Sequence, residues 1–367
     1  MRRFLAAIVF ILVTVTGITQ YNILDNEATQ KKVERCLYAT YGFNFTEAKA
    51  IQKELAEEMP QHPVAWFLNA LITYWEFFPI LPDDPKAKDF ISNMDRAIEL
   101  AGQMLGRNSG SMEGVFFDMH ARAFKAMFWA DNGKPAKVIA DLNNMYRSTM
   151  LGIEYKEIFN EFYFSSGLYN YYIEAYVEKH PKYKPLALLF RKGDKKLGLK
   201  ELEYAINNTT YIRYEARLFM SLIQLNYEKN MGLALDHAAQ LYNHFPKNIY
   251  YAGQYLIILL HSEQYTVASV LNTKLAEKKE PFHRIIYQLT EGFISEKQKD
   301  DPILASKQYK EAIRLSEIYG PIAHLYEAIA YAGLARIADK KEDPATARRH
   351  RRSSSRLSDY EFILDFR

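Results

Sequence analysis

The hydrophobic and polar residues of this chain repeat with a helical period. Successive segments of several turns have apolar residues three and four positions apart, and prolines and glycines separate these segments. No segment keeps the two-residue alternation of a half-buried strand, and no Asn-Gly turn joins two β-branched runs. The pattern therefore predicts an all-α protein.

The helical segments also repeat among themselves. Ala234, Ala238, Leu241 and Pro246 fit the second helix of a tetratricopeptide repeat, in which small residues let two helices pack closely and proline ends the unit. The same spacing occurs at Ser269, Thr273, Ala276 and Pro281 and at Ala305, Tyr309 and Ala312, and the first-helix positions are matched by Trp66, Asn69 and Ala70. We predict tetratricopeptide-like hairpins stacked in a right-handed superhelix, an α-solenoid, rather than a generic α-bundle.

The predicted solenoid is continuous over residues 20–367 and contains about eight hairpins. Because a repeat unit normally buries its apolar faces against its neighbours, we expect each hairpin to contact only the adjacent ones. The expected hairpins span residues 28–59, 63–107, 111–150, 155–207, 210–246, 249–280, 282–318 and 321–360.

The amino-terminal residues have the pattern of an export signal. Arg2 and Arg3 precede an uncharged, mostly apolar run from Phe4 to Gly17, which is shorter than the ~20 residues of a membrane-spanning helix. We predict a signal peptide over 1–19, cleavage near Thr19 and a periplasmic protein without stable membrane insertion. An uncleaved signal anchor in the inner membrane is the alternative. Cys36 lies too far from the apolar run to be a lipid-modified cysteine.

Charge and composition exclude several classes of protein. Of the 47 basic residues, two belong to the predicted signal, which leaves 45 against 44 acidic residues and gives no overall basis for nucleic-acid binding. A single cysteine excludes a disulfide framework. The nine histidines form no HExxH motif, and there is no GxSxG element. We therefore predict no catalytic residues, no cofactor and no metal.

One region resembles a known family. Gly167-Leu-Tyr-Asn-Tyr is followed by Gly193-Asp194-Lys-Lys-Leu-Gly198-Leu199 and by Leu202. Over 155–246 this resembles the core of the tetratricopeptide repeat 39-like family, which includes the fungal inclusion-body-clearance proteins. Residues 179–185 stand where that family has a Leu-Leu-Pro-Pro turn. The resemblance implies a scaffold or adaptor and offers no catalytic residues.

The same glycines have a structural interpretation from the residues alone. Asp194 is expected to cap a helix that starts at Lys195, and Gly198 is expected to allow close helix packing. The spacing of Gly193 and Gly198 imitates that of a phosphate-binding loop. However, the Lys-Ser/Thr pair that such a loop needs is replaced by Leu199-Lys200.

Two groups of residues are candidate binding sites. The first is an aromatic stripe on one predicted helix, formed by Phe162, Tyr169, Tyr172 and Tyr176. It either packs the core or lines the concave groove, where tyrosine combines apolar area with a hydroxyl for a protein, peptide or glycan ligand. The second is an arginine cluster, which is either a solvated capping helix or a docking site for anions. It consists of Arg348, Arg349, Arg351, Arg352 and Arg356.

The sequence thus favours a non-enzymatic exported scaffold that binds a protein or peptide partner in a superhelical groove. The alternative is a carbohydrate-active protein, either a glycan binder or a hydrolase, with two carboxylates on a helical repeat or toroid frame.

Overall fold

The computed structural model describes residues 23–365, and the predicted signal peptide over 1–19 lies outside them. The described chain is all-α: it contains nineteen α-helices and three short 3₁₀ turns and no strand. None of the helices in this range has both the length and the apolar run needed to cross a membrane.

The helices pair along the chain into eight hairpins. In each pair the second helix packs on the first, and each hairpin then packs on the next. The first two hairpins are α1 (Glu27–Tyr41) with α2 (Phe45–Glu58) and α3 (Pro63–Glu76) with α4 (Pro85–Arg107). The third is α5 (Met112–Asp131) with α7 (Leu142–Tyr155), and the short α6 (Pro135–Ile139) lies between them. The fourth is α8 (Phe162–Lys179) with α10 (Lys195–Asn208), and the short α9 (Lys184–Ala187) lies between them.

The remaining four hairpins have shorter connections. They comprise α11 (Arg213–Asn226) and α12 (Met231–His244), α13 (Ile249–His261) and α14 (Tyr265–Ala276), α15 (Pro281–Lys297) and α16 (Pro302–Ser316), and α17 (His324–Lys340) and α18 (Pro344–Leu357). A final short helix, α19 (Glu361–Asp365), follows α18. The predicted fold class, all-α with tetratricopeptide-like hairpins, is confirmed.

A buried small residue recurs on the second helix of every hairpin. It allows the two helices to approach closely, and a second residue that faces the partner helix follows seven positions later. The small residues are Ala48, Ala97, Ser148, Gly198, Ala234, Ala268, Ala305 and Ala347, and all eight are buried. The predicted positions Ala234, Ala238 and Leu241 in α12 and Ala305, Tyr309 and Ala312 in α16 are correct.

The predicted register of α14 is wrong by one residue. Ser269 is half-buried and Thr273 and Ala276 are exposed, whereas Ala268 and its partners one position earlier are buried. The prolines caused the error, because Pro246 lies between two helices while Pro281 is the first residue of α15. In α3, Ala70 is buried as expected, but Trp66 does not fill the gap between helices: its ring is 37% exposed beneath the Arg96 guanidinium.

The turn before α10 has the predicted capping. The Asp194 carboxylate accepts a hydrogen bond from the Leu197 amide at 3.0 Å. A Cβ atom on Gly198 would lie 2.7 Å from the Tyr171 nitrogen and 2.8 Å from the Gly167 carbonyl oxygen, so glycine alone allows this contact between α8 and α10. Ser111 likewise caps α5 through the Gly114 amide. The glycines of the family-like core therefore serve helix packing.

The expectation that each hairpin contacts only its neighbours is wrong. Tyr41, at the end of α1, packs edge-on against Tyr214 with 5.9 Å between ring centroids, and its carbonyl accepts a hydrogen bond from Asn248. Phe78, which follows α3, lies 5.7 Å from Tyr250 and 5.3 Å from Phe282. The stack of hairpins therefore curves back on itself, and aromatic side chains from the first two hairpins pack against hairpins five to seven.

The residues after α18 contact earlier hairpins. Lys229 forms an ion pair with Glu361 at 2.6 Å, and His180 lies 3.3 Å from the Asp359 carboxylate. The segment after α18 therefore contacts the ends of α8 and α11, so the last hairpin is joined to the fourth and fifth.

Candidate binding cavities on the superhelix axis

A central cavity of about 660 Å³ lies between the hairpins of the curved stack. Six of the eight hairpins contribute to its wall, because the ends of their first helices converge there. Its lining includes Phe78, Asp131, Leu222, Tyr250, Gln254, Phe282, His324, Tyr326, Arg356 and Tyr360. Its volume falls within the ~300–1,000 Å³ that is usual for ligand sites.

The wall of the central cavity carries both signs of charge. Asp131 and Asp359 are acidic, and Arg356 is basic. Burial raises the pKa of the Asp131 carboxyl to about 7, because the charged form loses its hydration there. Burial also lowers the pKa of His324, so this imidazole is neutral at pH 7. Charged groups therefore stand beside the aromatic rings of Tyr250 and Phe282.

A second, smaller cavity of about 130 Å³ opens beside the central one, and Asp131 and Tyr250 line both. The first helices of hairpins two to six, which are α3, α5, α8, α11 and α13, supply its wall. We call this space the inner cavity. Its apolar lining consists of Tyr74, Trp75, Ala123, Phe124, Met127, Phe164, Leu168, Ile212, Leu218, Phe219 and Tyr251.

Three acidic or imidazole side chains stand among these apolar residues: Asp131, which also lines the central cavity, Glu215 and His120. Glu215 interacts through Oε1 with the Tyr41 hydroxyl, and burial raises the pKa of this carboxyl to about 8. Burial lowers the pKa of His120 to about 4. At neutral pH Glu215 and His120 are uncharged, because an apolar wall stabilises the neutral form of each group over the charged form.

The predicted aromatic stripe does not line either cavity. Phe162 is fully buried among core aromatic rings, which fits the core-packing alternative for this residue. Tyr169 is half-buried and donates a hydrogen bond to the Arg191 carbonyl at 2.5 Å. Tyr172 packs on Tyr227, and Tyr176 is 42% exposed.

The face of α8 that points to the axis carries Phe164 and Leu168 instead. Sequence reasoning missed these two residues because it followed three-, four- and seven-residue intervals that start at the buried Phe162. The sequence signal for this interior lies in two other helices, α3 and α13, which are apolar on all sides. Tyr74 and Trp75 stand near the end of α3, and Tyr250 and Tyr251 stand near the start of α13. A helix that is apolar all round is buried on every face, so these two helices indicate the interior of the stack.

The five arginines of the predicted docking cluster lie on α18 and are exposed. Arg351 pairs with Asp339, and Arg356 lines the central cavity. The cluster is therefore divided: one member is paired within its hairpin and another stands at the cavity wall. Within residues 23–365 no three histidine, cysteine or acidic side chains are grouped as metal ligands.

No family model matches the sequence, and neither does any curated protein. Among solved structures, the fold is similar to that in the crystal structure of the yeast Tom70. The identity is 12% and the TM-score is 0.41, over 93% of this chain and 81% of that one. The description of this chain as tetratricopeptide-like rests on its own helix pairing and on the buried small residue that recurs in each hairpin.

Proposed function

We propose that this protein is a non-enzymatic scaffold that binds a segment of a protein partner in the central cavity. The convergence of six hairpins on one cavity of about 660 Å³ carries the proposal. A surface built from many repeats gives a partner a continuous wall, and affinity there comes from shape and from a few well-placed side chains.

The chemistry of the wall suits an extended peptide that has apolar side chains and charges of both signs. Tyr250 and Tyr360 offer apolar area together with a hydroxyl, a combination that is common where proteins bind proteins. Arg356 can bind a carboxylate of the partner, and Asp359 can bind a basic side chain.

A finer proposal is kinship with the tetratricopeptide repeat 39-like family, which the core from Gly167 to Leu202 resembles. The scaffold or adaptor role that this resemblance implies agrees with a cavity built from packed helices. In this chain the matching glycines support the contact between α8 and α10, which holds Phe164 and Leu168 at the inner cavity.

The carbohydrate-active alternative receives less support from the cavity chemistry. A glycoside hydrolase needs one carboxyl group as acid and a second that is ionised. Asp131 and Glu215 both line the inner cavity, but burial raises their pKa values to about 7 and about 8. Neither is fully ionised at neutral pH, and the surrounding wall is mainly aromatic and aliphatic.

We also propose that the protein is exported to the periplasm after cleavage near Thr19. The support is the sequence of residues 1–19, in which two arginines precede a short apolar run. Amino-terminal sequencing of the protein from a periplasmic fraction is expected to start near residue 20. An intact Met1 on membrane-bound protein would instead show a signal anchor.

Binding in the central cavity can be tested with peptides selected from a random displayed library. Leu222→Trp places a bulky ring in the cavity wall and is expected to reduce peptide affinity by at least tenfold. Leu233→Trp makes the same change on α12, where Leu233 is 46% exposed, and should leave affinity unchanged. Equal affinity for both variants, each folded by circular dichroism, would exclude the central cavity as the binding site.

A further inference from the structure

Three buried polar atoms in the wall of the inner cavity have no hydrogen-bond partner in the described part of the chain. They are Trp75 Nε1, His120 Nε2 and Glu215 Oε2, which belong to α3, α5 and α11. The three side chains are 6%, 3% and 8% exposed. Native proteins usually satisfy such atoms, because an unpaired polar group away from water is costly.

The hydrogen-bonding capacity of each atom can be read from its surroundings. His120 Nδ1 lies 2.9 Å from the Phe116 carbonyl, which only accepts, so Nδ1 carries the proton and Nε2 is an acceptor. Trp75 Nε1 is a donor. Glu215 already interacts with Tyr41 through Oε1, which leaves Oε2 for a further partner. The inner cavity therefore presents both a donor and an acceptor on walls that are otherwise apolar except for Asp131.

The size of the inner cavity limits its ligand to about one aromatic ring. An apolar cavity of ~150 Å³ is large enough for benzene, and the inner cavity measures about 130 Å³. Aromatic neighbours favour a ring, since Trp75 lies 6.0 Å from Tyr250 and His120 stacks at 6.2 Å on Phe164.

We propose that the inner cavity binds an uncharged, single-ring aromatic group that carries a hydroxyl or N–H, held by Trp75, His120 and Glu215. This site is separate from the central cavity proposed to bind a peptide, and it can bind its ligand whether or not the central cavity binds a peptide. Burial shifts the pKa values of Asp131, Glu215 and His120 towards their neutral forms, which supports an uncharged ligand, because an ion would lose its hydration in the same wall.

Calorimetric titration of the full chain with p-cresol, toluene and 4-methylbenzoate tests whether the inner cavity prefers an uncharged ring that carries a hydroxyl. We expect p-cresol to bind roughly five- to tenfold more tightly than toluene, the usual effect of one net hydrogen bond, and 4-methylbenzoate not to bind. Trp75→Phe, which removes only the donor and part of the ring, should reduce the advantage of p-cresol over toluene. The proposal is overturned if none of the three binds, or if toluene or 4-methylbenzoate binds as tightly as p-cresol.

A matched pair of variants locates the binding. Met127→Trp fills the inner cavity from its wall and should abolish p-cresol binding, whereas Met150→Trp, on α7 and outside both cavities, should retain it. Retained binding by Met127→Trp would place the ligand elsewhere, and loss of binding in both variants with unchanged melting temperatures would show that the loss is not specific to the cavity; either result contradicts the proposal.

The same ring chemistry could come from a free molecule or from a tyrosine side chain of the partner. N-acetyltyrosinamide distinguishes them, because its backbone must remain in the central cavity while the ring enters the inner one. Binding of p-cresol alone assigns the site to a free molecule, and binding of both assigns it to a partner side chain. If no peptide is selected but p-cresol still binds, only the proposal of peptide binding in the central cavity is rejected.

Discussion

At the scale of single residues, the interior of this protein is distinguished by carboxyl groups that are buried without a cation. Glu215 has an apolar environment with the Tyr41 hydroxyl as its neighbour, and its pKa is raised to about 8. The folded state therefore holds the proton more tightly than the unfolded state does. It follows that Glu215 makes the free energy of unfolding fall as pH rises from about 4.5 to about 8.

Glu215→Gln removes this titration while keeping an oxygen for Tyr41. We expect the variant to gain about 2–3 kcal/mol of stability relative to the wild type between pH 6 and pH 8.5. Urea denaturation at the two pH values measures the difference. The pKa values of His120 and His261 are lowered to about 4, so these residues change the free energy of unfolding between about pH 4 and pH 6.5, equally in both proteins, and the change cancels in the difference. Glu277→Gln, on the surface, should show no such change, and an unchanged pH profile for Glu215→Gln would contradict the account.

Gly198 is the residue on which the packing of α8 against α10 depends. Gly198→Ala is expected to cost about 1–3 kcal/mol, because the added methyl group would press on backbone atoms of Gly167 and Tyr171. Gly102→Ala in α4 is the control. No atom lies within 4 Å of the new methyl group there, so we expect stabilisation by about 0.5–1 kcal/mol. Chemical denaturation of both variants decides the point, and changes of the same sign would refute the close-contact argument.

At the scale of helices and hairpins, the sequence predicted what depends on local spacing. Asp194 was identified as a cap because a short polar side chain before an apolar run can bond the first free amides. Small residues on α12 and α16 were identified because close packing of paired helices requires small side chains at fixed intervals in the sequence. The register of α14 was missed because prolines were used to align units, and a proline can either end one helix or begin the next.

The corrected register of α14 makes a prediction about two alanines. Ala268→Leu adds a large side chain to a fully buried contact with the paired helix, and we expect a cost of about 1–3 kcal/mol. Ala276→Leu, at a position that the uncorrected register would bury, should change stability by less than about 0.5 kcal/mol. Thermal melts of the two variants compare the registers. A larger loss from Ala276→Leu would restore the uncorrected one.

At the scale of the whole molecule, the stack of hairpins folds back so that its first third packs against its last half. This arrangement and the two cavities it encloses could not be predicted from the sequence. Contacts such as that between Tyr41 and Asn248 join residues far apart in the chain, and such pairs follow no periodic spacing. The sequence left open whether the aromatic stripe on α8 packs the core or lines a groove for the same reason, since no local pattern shows which face meets a distant hairpin.

The folding back predicts coupling between distant hairpins. Phe78→Ala removes the ring that contacts Tyr250 and Phe282. Amide hydrogen exchange should therefore become faster in α13 and α15 as well as in α3. In an array with contacts only between neighbours, the effect would stay within hairpins one to three. Phe77→Ala is the matched control, because Phe77 is 42% exposed and should leave α13 and α15 unaffected.

The central claim is that a partner segment binds on the axis of the curved stack. A photo-crosslinking amino acid placed at Leu222, in the wall of the central cavity, tests it most directly with a peptide selected from the displayed library. We predict a covalent adduct from position 222 and none from position 233 on the outer surface. Crosslinking from position 233 alone would show that the partner binds outside the cavity and would contradict the account.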